Sequence, residues 1–410
     1  MVAMTMQELF DALKQSPVSI DDQIKVERAE IGTKQVNAHL FPKADLFARY
    51  DYTSAPTGMI PVAPNDLVKM VQVQNEPQPF SQNIFRLGAL VNVPVFSMSL
   101  YSTAKKAKLF VKTAQEKQKI NLLKNEALLV GFNADLQYID AMFRALKHHK
   151  QSLMKTKEIV RVKVDTGRIP ATALLKIDDA IHRIKVAMSE LDVRKSGLIS
   201  MISAKTGIHL SHAIPMTATT PFQRGNFAIL KPLIEQKKAS IYSLKSAKYR
   251  LIPSLVATAS YNHSIAPAYN VDKWENEDFF SFGLILKIPL FNMTQYQSVS
   301  EQKIRVKLME NNLKKESMAL AAQADNLTHT FSVIEKQILL YKQSVKNKKK
   351  LLKISTAAYA SNRMPIEDYL QYEDAVLMEE SNYYKSMAKR WHTIVTLAVI
   401  YGNTIEEMVK

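Results

Sequence analysis

The chain repeats itself at a spacing of 195 residues, and whatever fold it adopts must accommodate that duplication. Gly88 and Gly283, Pro94 and Pro289, Phe96 and Phe291, Met98 and Met293, Tyr101 and Tyr296, Pro170 and Pro365, and Gly207 and Gly402 are all paired in this way. The segment LGALVNVPVFSMSLY therefore lies over FGLILKIPLFNMTQY. Only 10 glycines occur in 410 residues that are 47% hydrophobic, and no Pro-, Gly- or Ser-rich linker divides the chain. Such a composition predicts long uninterrupted elements, mostly helices.

Several classes of function fall away at once. There is no cysteine, which excludes disulfides, thiolate metal sites, cysteine nucleophiles and a lipid anchor on a cysteine of this sequence. The net charge of +17 raises nucleic acid or an anionic membrane as partners. Lys and Arg are spread through the helical stretches without interleaved aromatic stacking residues, which argues against nucleic acid. The densest basic run, Lys346 to Lys350, reads as a solvated helix face. No apolar run reaches the roughly 18 to 20 residues of a membrane-spanning helix. The opening MVAMTMQELFDALKQSP lacks the basic start and apolar core of a signal peptide, as a cytosolic chain or the mature form of an exported one would.

Residues 1–215 read as a first repeat: a helix over Ile20–Ala38, strands near 43–54 and 84–95, a long helix over 97–165 and a helix over 171–205. Residues 216–410 read as a second: a helix over 222–251, strands near 254–263 and 280–291, a long helix over 292–360 and a helix over 366–401. The first helix of each half stops at Phe41-Pro42 or Ile252-Pro253, because proline restrains the residue before it. These two sites are 211 apart, so the loop between strands is longer in the first half (Thr53–Ser81) than in the second (Ser264–Asp278).

The four strands alternate oily and wet positions. The oily sets are Leu46, Ala48, Tyr50 and Tyr52; Phe85, Leu87, Ala89, Val91, Val93 and Val95; Leu255, Ala257, Ala259 and Tyr261; and Phe280, Phe282, Leu284, Leu286, Ile288 and Leu290. Such strands suit a soluble sheet with one face on a core or a membrane barrel. Nothing else in the chain offers a compact core, which favours the barrel. Four strands leave two open edges, and an unpaired backbone group in lipid costs several kcal/mol, of order. The chain must then close a barrel with copies of itself.

From Ser97 to Asp165 no proline and one glycine interrupt the helical pattern, giving about 100 Å of helix. The returning helix carries Leu174, Ile177, Ile181, Ile184, Met188, Leu191, Leu198 and Ile202 at steps of three and four, a coiled-coil seam. It covers about 50 Å, and the helix at 222–251 about 45 Å more, so two short helices match one long one. Gly167 suits the left-handed position past a helix end and Pro170 the first turn of the next. Asn362 and Pro365 repeat the arrangement.

The order, spacing and duplication of MQELFDALKQSP, FPKADLFARYDY, RLIPSLVATASYNHS, FSFGLILKIPLFN and VTLAVIYGN resemble the TolC-like outer membrane efflux protein (outer membrane factor) family. The resemblance implies an α+β, mostly α fold: a homotrimer whose chains each lend four strands to one outer-membrane barrel, continued by an α-helical coiled-coil tunnel through the periplasm. It implies a passive exit duct of a tripartite efflux pump or type I secretion system. The implied partners are a periplasmic adaptor (membrane fusion) protein, an inner-membrane transporter and the lipid bilayer, without cofactor or nucleic acid. Asp45, Arg49, Asp51, Arg86, Asn92 and Lys287 would line the barrel lumen. Gly167, Arg168, Ile169, Asn362, Arg363 and Met364 would form the adaptor-contacting tips, although Thr166-Gly167-Arg168 and Ser361-Asn362-Arg363 both depart from the family's Val-Gly-Leu type turn. Asp368 falls at the family's gate aspartate, while Gln371 and Ala173 stand where further aspartates are common. Three copies of Asp368 would attract cations; alternatively, Glu367 and Asp368 simply favour a helix start.

The competing reading is a soluble periplasmic coiled-coil adaptor or scaffold whose strands form a small domain. Catalysis has no support, since there is no nucleophile elbow, phosphate loop or metal motif. His209 and His212 follow a helix end without a nearby carboxylate. The rings of His148 and His149 point to different faces. Both pairs read as structural or exposed, with no metal. Tyr369, Tyr372, Tyr383 and Tyr384 recur at helical spacing and read as packing.

Overall fold

A computed structural model describes residues 4–73, 76–361 and 363–410. The chain forms two compact units, and each draws on both sequence repeats. One comprises Met1–Glu27, Thr113–Leu233 and Asn312–Lys410; the other comprises Arg28–Lys112 and Ile234–Asn311.

The second unit holds a four-stranded antiparallel sheet in the order β1 (Lys43–Gly58), β2 (Phe80–Phe96), β3 (Ser254–Pro267), β4 (Trp274–Lys287). The strands begin and end differently from the alternation alone. β1 runs on to Gly58, and the predicted first loop contains a helix, α3 (Pro64–Gln72), started by a proline whose missing N–H costs nothing in the first turn. β4 starts at Trp274, paired with Pro267, which shortens the second loop. It stops at Lys287, so Ile288 and Leu290 lie outside the strand; Pro289 has no N–H to donate to the ladder.

The first unit is helical, and four of the helices described with it also contribute residues to the second. α1 (Met6–Lys14) is opened by a capping box, in which Thr5 Oγ1 accepts from Glu8 N at 3.3 Å and Thr5 N donates to the Glu8 carboxylate at 3.1 Å. α2 (Pro17–Ala38) starts three residues earlier than the periodicity indicates. Two helices of 68 residues each, α4 (Met98–Asp165) and α7 (Met293–Ala360), carry the longest runs. α5 (Thr172–Thr206) and α8 (Ile366–Tyr401) return from the turns. α6 (Lys231–Tyr249) begins nine residues later than predicted, after a single 3-10 turn at Ala228–Leu230. Pro221 and Gly225 keep the preceding stretch irregular, and Pro232 fits only near a helix start. A short α9 (Ile405–Met408) precedes the C-terminus, which pairs with the segment after α5: Thr217 N donates to Lys410 O at 2.7 Å. Among the described residues no helix is long and apolar enough to cross a membrane.

Two apolar cores hold this unit together. One gathers Met6, Leu9, Phe10 and Leu13 of α1 with Leu129, Leu136, Ile202, Trp391, Ala398 and Ile405. At its border Asn133, fully buried, clamps the backbone of Ile214 with two hydrogen bonds of 2.8 Å. The other core gathers Leu146, Leu153, Val160, Ile177, Ile181, Tyr359, Ile366 and Tyr369.

The duplication survives in the backbone. Gly207 and Gly402 end α5 and α8 with φ of 73° and 76°, each donating 2.7 Å hydrogen bonds to Ser203 O and Ala398 O. They differ in space: a Cβ at Gly207 would meet nothing within 4 Å, whereas one at Gly402 would come 2.4 Å from Ala228 Cβ. Gly207→Ala should cost about 1 kcal/mol through the left-handed backbone alone. Gly402→Ala should cost clearly more in the same denaturant titration; equal losses would contradict the packing at Ala228.

Glu126 of α4 is buried beside the Lys14–Glu406 ion pair of 2.5 Å. Burial first, then the Glu406 carboxylate, push its carboxyl up to about 7, against the opposing pull of Lys14. The folded state thus holds a proton that the unfolded chain releases, so this contribution is intact below the unfolded value and lost as pH rises through about 7. Unfolding midpoints should fall between about pH 5 and pH 8, and Glu126→Gln should flatten that slope.

Candidate functional site

The sheet sorts its side chains by register. Directly opposite residues share a face, and the pairs Leu46–Ala89, Ala48–Leu87, Tyr50–Phe85, Ala89–Tyr261, Val91–Ala259, Ala257–Leu284 and Tyr261–Phe280 join the oily sets of all four strands on one side. That side is bare: Leu46 is 89% exposed, Phe280 69% and Leu284 61%. The other side carries Asp45, Arg49, Asp51, Arg86, Asn92 and Lys287 together, linked through Arg49–Arg86, Asn92–Thr258 and Ser254–Lys287. Here Asp51 pairs with Arg86 and, at 3.0 Å, with Arg49, while Arg86 also donates to Gly58 O at 3.0 Å. Ser260 and Ser281 bond at 2.7 Å. At one end of this polar side a small apolar plug of Met59, Ile84 and Ala266 forms, with Ser264 Oγ donating to Met59 O at 3.0 Å. Among the described residues, β1 and β4 pair with no further strand on their outer edges.

The helical turns form a second site. Gly167 adopts φ 66°, and Arg168 N donates to Lys163 O at 2.8 Å, the bond that closes a left-handed helix end. Arg363 N donates to Ala358 O at 2.8 Å, the same bond 195 residues on; Asn362 lies outside the described residues. The turns come together around a groove of about 410 Å³ lined by Lys163, Arg168, Ile169, Lys176, Met364 and Glu367, among others. Of the predicted tip residues, Arg168, Ile169 and Met364 line it, while Gly167 and Arg363 are exposed on the turns. Asp368 and Gln371 are exposed on the first turns of α8, whereas Ala173 is buried in the core beside Ile177 and Tyr369.

Two interactions at the turns were invisible to motif reading. Lys176 of α5 pairs with Glu367 of α8, and that bond holds the Glu367 carboxyl below its ordinary range. Behind it, His149 Nδ1 of α4 lies 2.6 Å from the buried Glu373 carboxylate of α8. Glu373 also accepts from Tyr369 Oη at 2.6 Å and Ser152 Oγ at 2.8 Å. Burial works against the Glu373 charge, but His149 and Tyr369 outweigh it and lower its pKa. Burial, followed by the Glu373 charge, pushes the Tyr369 hydroxyl up to about 12. His148 is exposed and His149 buried, as their adjacency predicts. His212 does have a carboxylate neighbour, Asp140 at 3.8 Å, correcting the sequence reading. Asp140 is claimed more closely by Lys195 at 2.8 Å and Ala213 N at 3.0 Å, and no metal-binding cluster occurs among the described residues.

Side-chain contacts connect the helices in sequence. α5 meets α4 through Lys157–Asp178 (2.5 Å) and Lys195–Asp140 (2.8 Å). α4 meets α8 through Glu373 and through Asp135–His392 (3.1 Å), and α8 meets α7 through Lys349–Glu380 (2.5 Å) and Arg390–Glu335. The two outer members keep large apolar side chains in solvent: Val186 and Val193 on α5, at 59% and 73%, and Leu340 and Ile354 on α7, at 69% and 65%.

Residues 233–403 match the outer membrane efflux protein family. The fold extends the likeness over almost the whole chain. The outer membrane channel CmeC of Campylobacter jejuni is 16% identical with a TM-score of 0.80, covering 98% of this chain and 86% of that one. VceC of Vibrio cholerae is 13% identical with a TM-score of 0.81, covering 97% and 96%. The chain has the fold of these outer membrane channels over nearly its whole length, and its second half matches the outer membrane efflux protein family. The open-state MtrE outer membrane channel of Neisseria gonorrhoeae is 13% identical at a TM-score of 0.76, covering 97% of this chain and 88% of that one. No curated protein sequence matches the chain significantly.

Tyr369 ties α8 to α4. Tyr369→Phe should lower stability by about 1 kcal/mol, the net worth of a lost hydrogen bond, with folding and secondary structure retained. Guanidinium titration checks this, and no loss would mean that Glu373 is held by His149 and Ser152 alone.

Proposed function

We propose that the chain is the outer-membrane exit duct of a tripartite efflux pump or type I secretion system, assembled as a homotrimer. It conducts substrates passively from a periplasmic adaptor and inner-membrane transporter to the cell exterior. One observation carries the reading: a single sheet side collects every oily set, is solvent-bare in the lone chain, and ends in two unpaired edges. Lipid accepts such a face only if the edges are closed, and copies of the same chain can close them. The exposed apolar residues of α5 and α7 support closure in the helical unit as well. A soluble adaptor or scaffold, the competing reading, would have to leave the same side chains in water.

In this reading the chain sits in the outer membrane and extends into the periplasm. Asp45, Arg49, Asp51, Arg86, Asn92 and Lys287 line the barrel's water-filled interior. Asp368 forms the charged ring of the periplasmic gate with Gln371 beside it, while Ala173 supports the helix packing behind them. The turns at Gly167–Ile169 and 362–364 meet the adaptor. Transport needs no catalytic group and no cofactor.

The facing of β4 tests the proposal. Lys at Leu284 or Leu286 would meet acyl chains at a cost of about 2–4 kcal/mol, whereas Lys at Ser281 meets water. Leu284→Lys and Leu286→Lys should abolish most of the detergent-extracted trimer, measured by size exclusion with light scattering, while Ser281→Lys preserves it. Equal trimer yields, or a monomer stable in plain buffer, would overturn the duct.

A further inference from the structure

Three helices of the helical unit leave a groove between them. α5 lines it with Arg194, Gly197, Leu198 and Met201, and α8 with Lys385, Ala388, Lys389 and His392. Each set steps three, four and seven residues from its first member, which places it on one face of its helix. α4 runs beneath and supplies Asp135, Tyr138 and Ile139. The groove lies where the two apolar cores adjoin, with Ala388 from one and Ile139 from the other in its wall. All of these residues belong to one compact unit, and the space between them is about 670 Å³, enough for a small molecule.

Small residues keep the space open. Gly197 and Ala388 face it from opposite walls. A Cβ at Gly197 would meet nothing within 4 Å, although glycine weakens a helix interior. At one end the His392 ring rests on the backbone of Gly131, where a Cβ would come within 2.7 Å of it. The imidazole is thereby fixed as an end wall, 3.1 Å from the Asp135 carboxylate. That bond raises the His392 pKa against the opposing effect of burial, and it occupies the one carboxylate of the lining.

The remaining charge around the groove is of one sign. Arg194 on one wall and Lys385 and Lys389 on the other are exposed, and among the described residues none of the three has an ion-pair partner. Their chain neighbours do, since Lys195 is held by Asp140 and Arg390 by Glu335. Between the cations the surface is apolar: Ile139 and Ala388 are buried, Leu198 is half-buried and Met201 is 51% exposed. Arg194 and Lys389 are equivalent under the 195-residue duplication, as are Gly197 and His392, so the two returning helices turn matching faces to each other across α4. The strip of α5 carrying Val186 and Val193 lies about a quarter turn away, so packing of a second copy against that strip leaves the groove open.

We propose that this groove binds a small organic anion with an apolar body, of the class of a medium-chain carboxylate. The body lies on Ile139, Leu198 and Met201, and the anionic group takes charge-assisted hydrogen bonds from Arg194, Lys385 and Lys389. A neutral hydrocarbon would leave the three cations without a counter-charge. Inorganic phosphate would leave Leu198 and Met201 wet, and an organic cation would be repelled. The site is complete within one chain, so it stands apart from the duct reading and does not fall with it.

The chain has no cysteine, so a thiol placed in the groove reports its occupancy. Full-length Gly197→Cys protein, in buffer or in phosphatidylcholine nanodiscs as dispersal requires, is alkylated by a neutral maleimide with and without decanoate. Decanoate should slow alkylation saturably and leave a Ser361→Cys thiol at the second turn unaffected. Decanol and decyltrimethylammonium at the same concentration should not protect. Adding Arg194→Gln, Lys385→Gln and Lys389→Gln should raise the decanoate needed about tenfold. Calorimetry of the unsubstituted chain should count one decanoate site per chain, a readout that holds even if Gly197→Cys fails to fold. Equal protection by decanol, protection that survives the triple substitution, or no decanoate site by calorimetry would overturn the proposal.

Discussion

The rest of the structure depends on the mismatch between an apolar face and an open sheet. Four strands whose register aligns their oily residues do not bury them within this unit, because among the described residues the sheet's apolar cluster, Met59, Ile84 and Ala266, lies on the opposite side. In water that face is a large exposed patch of the kind monomers avoid. In lipid it is satisfied, but then the outer edges of β1 and β4 become intolerable. In the proposed duct, lipid covers the face and association closes the edges, so that fold and assembly would be one energetic question.

The helical unit solves a different problem, that of holding long helices in register without glycine hinges or disulfides. Apolar cores supply most of the attraction, and buried polar contacts fix the alignment. Asn133 can satisfy only one backbone position, Ile214, and Glu373 accepts from Tyr369 and Ser152 with His149 at its other oxygen. Such groups are costly when unpaired. They therefore penalise a slip of α8 along α4 more sharply than a slipped leucine would.

The parts of this architecture that follow local rules were legible in the sequence. Alternation revealed the strands and their faces, because the side-chain period of two is fixed by the backbone. Unbroken helical patterns revealed α4, α5, α7 and α8 nearly to the residue. The misses have specific causes. α3 is too short, at nine residues, to stand out inside a long loop. The early start of β4 comes from cross-strand pairing of Trp274 with Pro267, which no period encodes. α1 could have been found through its Thr5-x-x-Glu8 capping box. The Lys176–Glu367 and His149–Glu373 pairs join residues 191 and 224 positions apart, so only packing brings them together.

The duplication also explains why the two halves cannot share a function equally. Their backbones agree in detail, down to the paired turn bonds at Arg168 and Arg363 and the left-handed glycines at helix ends. Their side chains have drifted apart at the turns. Ala173 and Asp368 occupy equivalent positions, yet one is packed in the core and the other exposed. Lys176 and Gln371 are likewise equivalent, and only the lysine makes a bond to the opposite half, through Glu367. Acidic character in the first turn of the returning helix therefore belongs to the second repeat, while the first contributes the cation that pairs with it. A symmetric pair of helical hairpins has become an asymmetric one, in which a single exposed ion pair, Lys176–Glu367, joins the start of α5 to the start of α8.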